Sequence, residues 1–158
     1  FGMGYRIHVT GLTHGEDGFP STNPKVVEAA VRRLTSKVMN HLDEIYEAEE
    51  DGVADAEVVV FAYGGTARAA RRAVREARAK GLKVGLYRPV TIWPFHDERV
   101  HAAVAGRRAV VVPELNLGQM AREVARAARG TTHVIPVNKV AGEPLTPGEI
   151  LTAIEEVF

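Results

Sequence analysis

Short apolar runs alternate with helix-like segments from residue 58 to the end of the chain, and this alternation constrains the fold more than any other sequence feature. Four runs have the length and composition of buried strands: residues 58–62 (VVVFA), 83–90, 109–112 (with Pro113 breaking the last) and 133–137. Segments with one apolar helical face separate and follow them: residues 67–80, 97–105, 118–129 and a last helix that opens at Thr146 and Pro147. Such alternation predicts parallel strands joined by right-handed crossovers. The expected fold is therefore an α/β three-layer sandwich with a mostly parallel sheet of four or five strands.

A different pattern precedes the first of these strands. Asn23 followed by Pro24 is typical of a helix start. Apolar residues then recur at spacings of three and four as far as Ile45, which predicts one long helix over residues 24–50, ended by Gly52. We therefore expect residues 1–52 to form a loop and a long N-terminal helix, and residues 53–158 to form the α/β domain. The chain begins with Phe1 and ends within a helical pattern, so we interpret it as a domain cut from a longer protein, with 1–52 linking it to an upstream domain.

Composition excludes several classes of function. Lys plus Arg number 20 and Asp plus Glu number 20, and a net charge of zero gives no support to nucleic-acid or membrane-surface binding. No apolar run approaches the ~20 residues that cross a bilayer, and no signal peptide is visible, so we expect a cytoplasmic protein. Because Cys is absent, the chain cannot form a disulfide, a thiolate zinc site or a Cys-ligated iron–sulfur cluster. The six His lack metal-ligand spacing, so we predict neither a metal site nor a catalytic residue.

The balanced charge conceals a segregation along the chain. Residues 43–57 contain eight acidic side chains and no Lys or Arg, whereas residues 68–88 contain eight basic side chains and one acidic one. Five of the basic residues share one face of the helix predicted over 67–80, a pattern that fits either a solvated face or an acidic partner. The acidic stretch is a candidate partner within the same molecule or in a second copy.

Ligands of open α/β sheets bind beyond the carboxyl ends of the strands, where residues 63–66, 88–95 and 114–119 are expected. The first segment contains Gly64, Gly65 and Thr66. Free N–H groups at this strand-to-helix turn could hold an anion, or the glycines could allow only a sharp turn and close packing. Neither the GxGxxG pattern nor a Walker loop is present. Thr66 is expected to cap the following helix.

Polar side chains mark the segment after the third strand: Glu114, Asn116 and Gln119. They could bind a ligand or an adjacent subunit, because polar residues at this edge of a sheet often serve function. Alternatively, Asn116 and Gln119 cap the helix while Glu114 bonds to a neighbouring turn. Both interpretations remain open at this point.

Four stretches together resemble a known family: residues 5–23 (YRIHVTGLTHGEDGFPSTN), 61–95 (from FAYGGTARAARRAV to YRPVTIWPF), 112–121 (VPELNLGQMA) and 142–150 (GEPLTPGEI). In this order they resemble the α subunit of 2-oxoacid:ferredoxin oxidoreductases, especially the 2-oxoglutarate type. The matching part is similar to its second domain, which is itself similar to the C-terminal domain of transketolase. The resemblance spans nearly the whole chain.

The resemblance implies an enzyme that oxidatively decarboxylates a 2-oxoacid onto coenzyme A and reduces ferredoxin. Such a complex uses thiamine diphosphate, Mg²⁺ and an iron–sulfur cluster, held by the α subunit's first domain and by the β subunit. This chain would be an interface domain that binds no cofactor itself, is inactive alone, and works as part of a homo- or hetero-oligomer. Its expected neighbours are the upstream domain, the β subunit and, through the complex, ferredoxin.

Two rival interpretations remain. One is a free-standing module that binds a phosphate or nucleotide at Thr66 and Glu114. The other is the C-terminal domain of another thiamine-diphosphate enzyme, such as transketolase, although the stretch GLTHGEDGFPSTN favours the ferredoxin-linked family.

Overall fold

The structure is a computed structural model that describes residues 2–5 and 8–158, and the chain divides into two compact units, Phe1–Glu44 and Ile45–Phe158. The first unit contains a Gly-rich loop and helix α1 (Pro24–Met39), followed by the four-residue helix α2 (Leu42–Ile45) at the division. The Asn23 side chain caps α1 by accepting from the Lys25 N–H at 3.0 Å. No residue of α1 is buried, and Val31 and Leu34 on its apolar stripe are more than half exposed.

The predicted helix over 24–50 is wrong beyond Met39. Asn40 caps the end of α1, and residues 48–51 form strand β1 (Ala48–Asp51) instead. The cause is long-range: Tyr46 turns into the interior, where its hydroxyl lies 3.0 Å from that of Tyr87, and Glu49 lies opposite Arg88 in the sheet. These tertiary contacts outweigh the helix propensity of the sequence AEED. The chain consequently divides after Glu44 and not after Gly52, with β1 inside the α/β unit.

Five strands form one mixed sheet in the second unit. The other strands are β2 (Val58–Phe61), β3 (Val84–Pro89), β4 (Ala109–Glu114) and β5 (His133–Asn138). The spatial order is β1-β3-β2-β4-β5; β2 to β5 are parallel, and β1 pairs antiparallel with β3. The predicted mostly parallel sheet is thus confirmed, with β1 as an antiparallel edge.

Helices cover both faces of this sheet: α3 (Thr66–Ala79), α4 (Asp97–Val104), α5 (Gln119–Ala128) and α6 (Pro147–Glu155). Alternate strand residues point to opposite faces. Val58 and Val60 pack with α3 and α6, whereas Val59 and Phe61 pack with α4 and α5. The predicted three-layer sandwich is confirmed.

Two local expectations fail. Thr66 is the first residue of α3 and Gly65 occupies the N-cap position, with no side-chain hydrogen bond there. Pro113 does not break β4, which continues to Glu114. Beyond Val111 the strand pairs with β5 alone, so a residue without an N–H is tolerated where the ladder to β2 has ended. Within the described residues, no helix is long and apolar enough to cross a membrane.

Candidate functional site

The carboxyl edge of the parallel sheet carries the candidate site. Strands β2, β3 and β4 all end there, and they lead into residues 63–66, 90–96 and 115–118 respectively. The structure connects the first and last of these segments directly through side-chain hydrogen bonds, which join Tyr63, Glu114 and Asn116.

Glu114 is the centre of this network. Its side chain ends β4 and is almost fully buried, with 1% of its surface exposed. One carboxylate oxygen, Oε1, accepts from the Met120 N–H at 2.8 Å, and Oε2 accepts from the Ala121 N–H at 2.9 Å. The carboxylate therefore satisfies two N–H groups in the first turn of α5, where a negative charge also meets the positive end of the helix dipole.

Asn116 satisfies the remaining groups at this helix start. Its Oδ1 accepts from the N–H groups of Gly118 (2.8 Å) and Gln119 (2.9 Å), and its Nδ2 donates to Glu114 Oε1 at 3.1 Å. Gly118 has a φ of 82°, a left-handed conformation that glycine adopts without steric cost. Of the two interpretations of residues 114–119, the contacts favour helix capping, carried by Glu114 and Asn116 and not by the exposed Gln119 side chain.

Tyr63 is the residue that sequence reasoning missed. Its hydroxyl donates to Glu114 Oε1 at 3.0 Å and accepts from Asn116 Nδ2 at 3.1 Å. Burial, followed by the hydrogen bond to Glu114 and its charge, raises the pKa of Tyr63. The feature that could have revealed Tyr63 in the sequence is its position just after β2, because β2 and β4 are neighbouring parallel strands that end at the same edge.

Gly64, Gly65 and Thr66 lie at the start of α3, outside this network. Gly64 has a φ of 54°, so the sharp turn requires glycine, but no atom lies within 4 Å of a Cβ built at Gly64 or at Gly65. The structure therefore supports the prediction that glycine permits a sharp turn here, whereas the prediction that these glycines allow close packing is wrong. A phosphate at Glu114 is disfavoured because both of its oxygens already accept hydrogen bonds from the protein.

The same edge also exposes large apolar side chains after three of the parallel strands. They follow β3, β4 and β5 respectively and are 46–72% exposed: Val90, Ile92 and Trp93; Leu115 and Leu117; and Val140. We call these residues the apolar edge. Single exposed apolar residues are ordinary, but several at one edge of a sheet mark an interaction surface.

The segregated charges meet inside the second unit. Glu49 pairs with Arg71 and Arg88, Asp55 pairs with Arg78, and Glu57 lies 3.7 Å from Lys83. The two arginines that bond to Glu49 lower its pKa. Three of the eight acidic residues of 43–57 thus pair with the basic stretch over 68–88 within the same molecule.

The donor groups do not fit the cofactors that the sequence resemblance implied. Without Cys, the chain supplies no thiolate ligand for an iron–sulfur cluster. Among residues 2–5 and 8–158, no group of three or more His, Asp or Glu side chains is placed to hold a metal ion, such as the Mg²⁺ of thiamine diphosphate.

Comparisons with known proteins agree with this geometry. The family model described as pyruvate:ferredoxin oxidoreductase core domain II matches residues 56–150. The 2-oxoglutarate synthase subunit KorA of Methanocaldococcus jannaschii is 42% identical over 154 residues, which cover 98% of this chain and 41% of that subunit. The chain therefore spans about two fifths of the length of that relative.

Solved structures show the same relationship. A 2-oxoglutarate:ferredoxin oxidoreductase from Magnetococcus marinus, determined with 2-oxoglutarate, coenzyme A and succinyl-CoA bound, superposes with a TM-score of 0.76 at 29% identity. The match covers 96% of this chain and 27% of that one. A split-gene transketolase superposes with a TM-score of 0.56 at 21% identity, covering 63% of this chain and 37% of its own, which shows a shared fold. The chain belongs to the core domain II family of the 2-oxoacid:ferredoxin oxidoreductases.

Proposed function

We propose that this chain is an interface domain of the α subunit of a thiamine-diphosphate-dependent 2-oxoacid:ferredoxin oxidoreductase. The complex would convert a 2-oxoacid, 2-oxoglutarate in our proposal, to its acyl-CoA and reduce ferredoxin. Thiamine diphosphate, Mg²⁺ and the iron–sulfur cluster would be held by other parts of the complex, which we place in the cytoplasm. The high identity to a 2-oxoglutarate synthase subunit supports this choice of substrate.

The apolar edge is the observation that carries the proposal. Trp93 and Leu117 are each 72% exposed, which is costly for side chains of this size unless another surface covers them. The buried polar network around Glu114 lies behind this edge and uses its hydrogen bonds to hold α5. An apolar edge whose nearby polar groups already hydrogen-bond to one another suits docking better than chemistry. We propose the upstream domain of the α subunit and the β subunit as the surfaces that cover it.

Reconstitution of the complex tests the proposal. Leu117→Arg in the α subunit should prevent assembly, seen by analytical ultracentrifugation, because a guanidinium would be buried against an apolar surface. Ala125→Arg, on the exposed face of α5, is the matched control and should assemble normally. Ferredoxin reduction that depends on 2-oxoglutarate should fall in proportion to the assembled fraction.

The isolated chain gives a second readout. Supplied with 2-oxoglutarate, coenzyme A, thiamine diphosphate and Mg²⁺, it should show no turnover, since it lacks Cys for a cluster. Turnover by this chain alone, or normal assembly of the Leu117→Arg complex, would contradict the proposal.

A further inference from the structure

A cleft lined mostly by arginines opens beside α3, and Gly64 of the β2–α3 turn also lines it. It has a volume of about 290 Å³ and lies along α3 next to β3. Five arginines line it: Arg68, Arg71, Arg72 and Arg75 from α3, and Arg88 from β3. We call this feature the arginine cleft.

The positive charge of the arginine cleft is only partly neutralised. Glu49 forms ion pairs with two arginines of the cleft, Arg71 and Arg88, and Glu76 pairs with Arg72. Arg68 and Arg75 have no carboxylate partner within residues 2–5 and 8–158. Five guanidinium groups against two carboxylates leave an excess of positive charge in a concave site, which favours an anionic ligand.

The alternation of side chains along β3 predicts a core residue at position 88, but this position holds Arg88. Leu86 and Val84, two and four residues earlier on the same face of β3, are core residues beneath α3. The Arg88 Nε atom is buried and has no hydrogen-bond partner, while its Nη1 donates to Glu49 Oε1 at 2.7 Å. Arg88 thus places a guanidinium at the cleft, held by Glu49, with one buried donor that the described residues leave unsatisfied.

The spacing of the unpaired arginines indicates the size of the ligand. Arg68 and Arg75 are seven residues apart on α3, so they lie two turns, about 10 Å, apart along one face of the helix. Linked phosphates offer two guanidinium groups at this spacing more oxygens, spread over a longer span, than a single phosphate does. Planar guanidinium forks bind phosphate oxygens in pairs, which gives the site its chemical preference.

We propose that the arginine cleft binds a small molecule that carries a diphosphate group. The cleft shares no lining residue with the apolar edge, so this site goes beyond the function proposed above. Glu49 fixes Arg71 and Arg88, and Arg68 and Arg75 supply the two charges that the protein leaves free for the ligand.

Isothermal titration calorimetry of the chain with inorganic pyrophosphate, at about 150 mM salt to suppress non-specific attraction, tests the site. Pyrophosphate should bind saturably with a stoichiometry of one and more tightly than orthophosphate. The double variant Arg68→Gln/Arg75→Gln should weaken binding at least about tenfold, as expected for loss of two charge-assisted contacts. Arg122→Gln, an exposed arginine of α5 outside the cleft, is the matched control and should bind like the unaltered chain. Comparing ADP with pyrophosphate then distinguishes a nucleotide from a diphosphate alone.

Both substituted arginines are exposed, so circular dichroism should show an unchanged fold in the double variant. Absence of saturable pyrophosphate binding would overturn the proposal. An equal loss of affinity in the Arg122→Gln control would overturn it too, because the attraction would then be a property of overall charge.

Discussion

At the scale of single residues, Glu114 is the buried charged side chain of the polar network at this edge. A buried carboxylate is expensive unless hydrogen bonds replace its lost hydration. Here four groups supply them: the N–H groups of Met120 and Ala121, the Tyr63 hydroxyl and the Asn116 amide. The charge is therefore stabilised by the same helix that it caps.

Glu114→Gln tests this role. Each oxygen of the Glu114 carboxylate accepts a hydrogen bond from a backbone N–H of α5. Glutamine replaces one of these oxygens with an NH₂ group, which cannot accept, so one buried donor loses its partner. We expect the free energy of unfolding to fall by about 2 kcal/mol, measured by urea denaturation. Tyr63→Phe removes one donor and leaves both oxygens occupied, so its loss should be smaller, about 1 kcal/mol. An equal or larger loss for Tyr63→Phe would contradict the account of Glu114.

The Tyr63–Glu114 contact is an example of a side-chain pairing that the sequence could not predict. Parallel strand order implied that the segments after β2 and β4 would be close. It did not imply which side chains would meet, because that depends on a register fixed by packing across 51 residues of chain. Glu114 and Asn116 were found because of their type and position, whereas Tyr63 resembled an ordinary turn residue.

At the scale of elements, β3 depends on one glycine. Gly85 lies under the turn between β1 and β2, and a Cβ built there would lie 2.7 Å from the Gly52 carbonyl oxygen and from the Val53 Cα. Both atoms belong to the backbone, and Val53 is buried, so neither can move aside cheaply.

Gly85→Ala should therefore lower the free energy of unfolding by at least about 1 kcal/mol, as measured by thermal or urea denaturation. Gly65→Ala is the matched control: φ is −66° there and no atom lies within 4 Å, so we expect a change within about 0.5 kcal/mol. If the two variants were equally stable, the close approach of the 52–53 turn to β3 would be refuted.

The start of α6 should show a dependence on pH. Glu149 accepts from the N–H and hydroxyl of Thr146 and from Lys139, and these hydrogen bonds lower its pKa from the usual 4.5 to about 2. Because the pKa of Glu149 is lower in the folded state than in the unfolded state, the ionised carboxylate stabilises the fold. This stabilisation is complete above pH 4.5 and is lost as the pH falls towards 2.

Glu149→Gln should therefore be less stable than the unaltered chain at neutral pH, and the difference should shrink as the pH falls from 4.5 to 2. Urea denaturation across this range measures it. Glu156→Gln makes the same charge change at the other end of α6 and controls for overall charge, because the Glu156 side chain has no hydrogen-bonded partner in the part of the chain that the structure describes. A difference that does not vary with pH would count against the capping role of Glu149.

The elements were predictable to different degrees for physical reasons. Strands buried on both faces, such as β2, have a composition that no surface segment shares, and the glycines mark the ends of the helices between them. Strand β1 could not be found in this way, because AEED favours a helix and is extended only through its pairing with β3. Its Glu49 is explained by two distant arginines, which local sequence cannot show.

At the scale of the whole molecule, the second unit leaves apolar surface at one edge of its sheet, with a hydrogen-bonded polar network behind it. The polar network behind that edge is satisfied, and Glu49, Asp55 and Glu57 pair with basic residues of 68–88. Among the residues that the structure describes, no group of acidic and histidine side chains fits a metal. These observations together favour a domain that works by docking. The chain covers 41% of a 2-oxoglutarate synthase subunit, which leaves more than half of that subunit to supply a partner surface.

Hydroxyl-radical footprinting of the chain alone and of the assembled oxidoreductase measures whether assembly covers the apolar edge. Trp93 is the only tryptophan of the chain and is 72% exposed, so its oxidation reports on the apolar edge. Phe158, 41% exposed and packed beside Arg108 at the opposite end of β4, is the internal control. Our account predicts that assembly protects Trp93 and leaves the oxidation of Phe158 unchanged. Equal oxidation of Trp93 in the free chain and in the complex would contradict it.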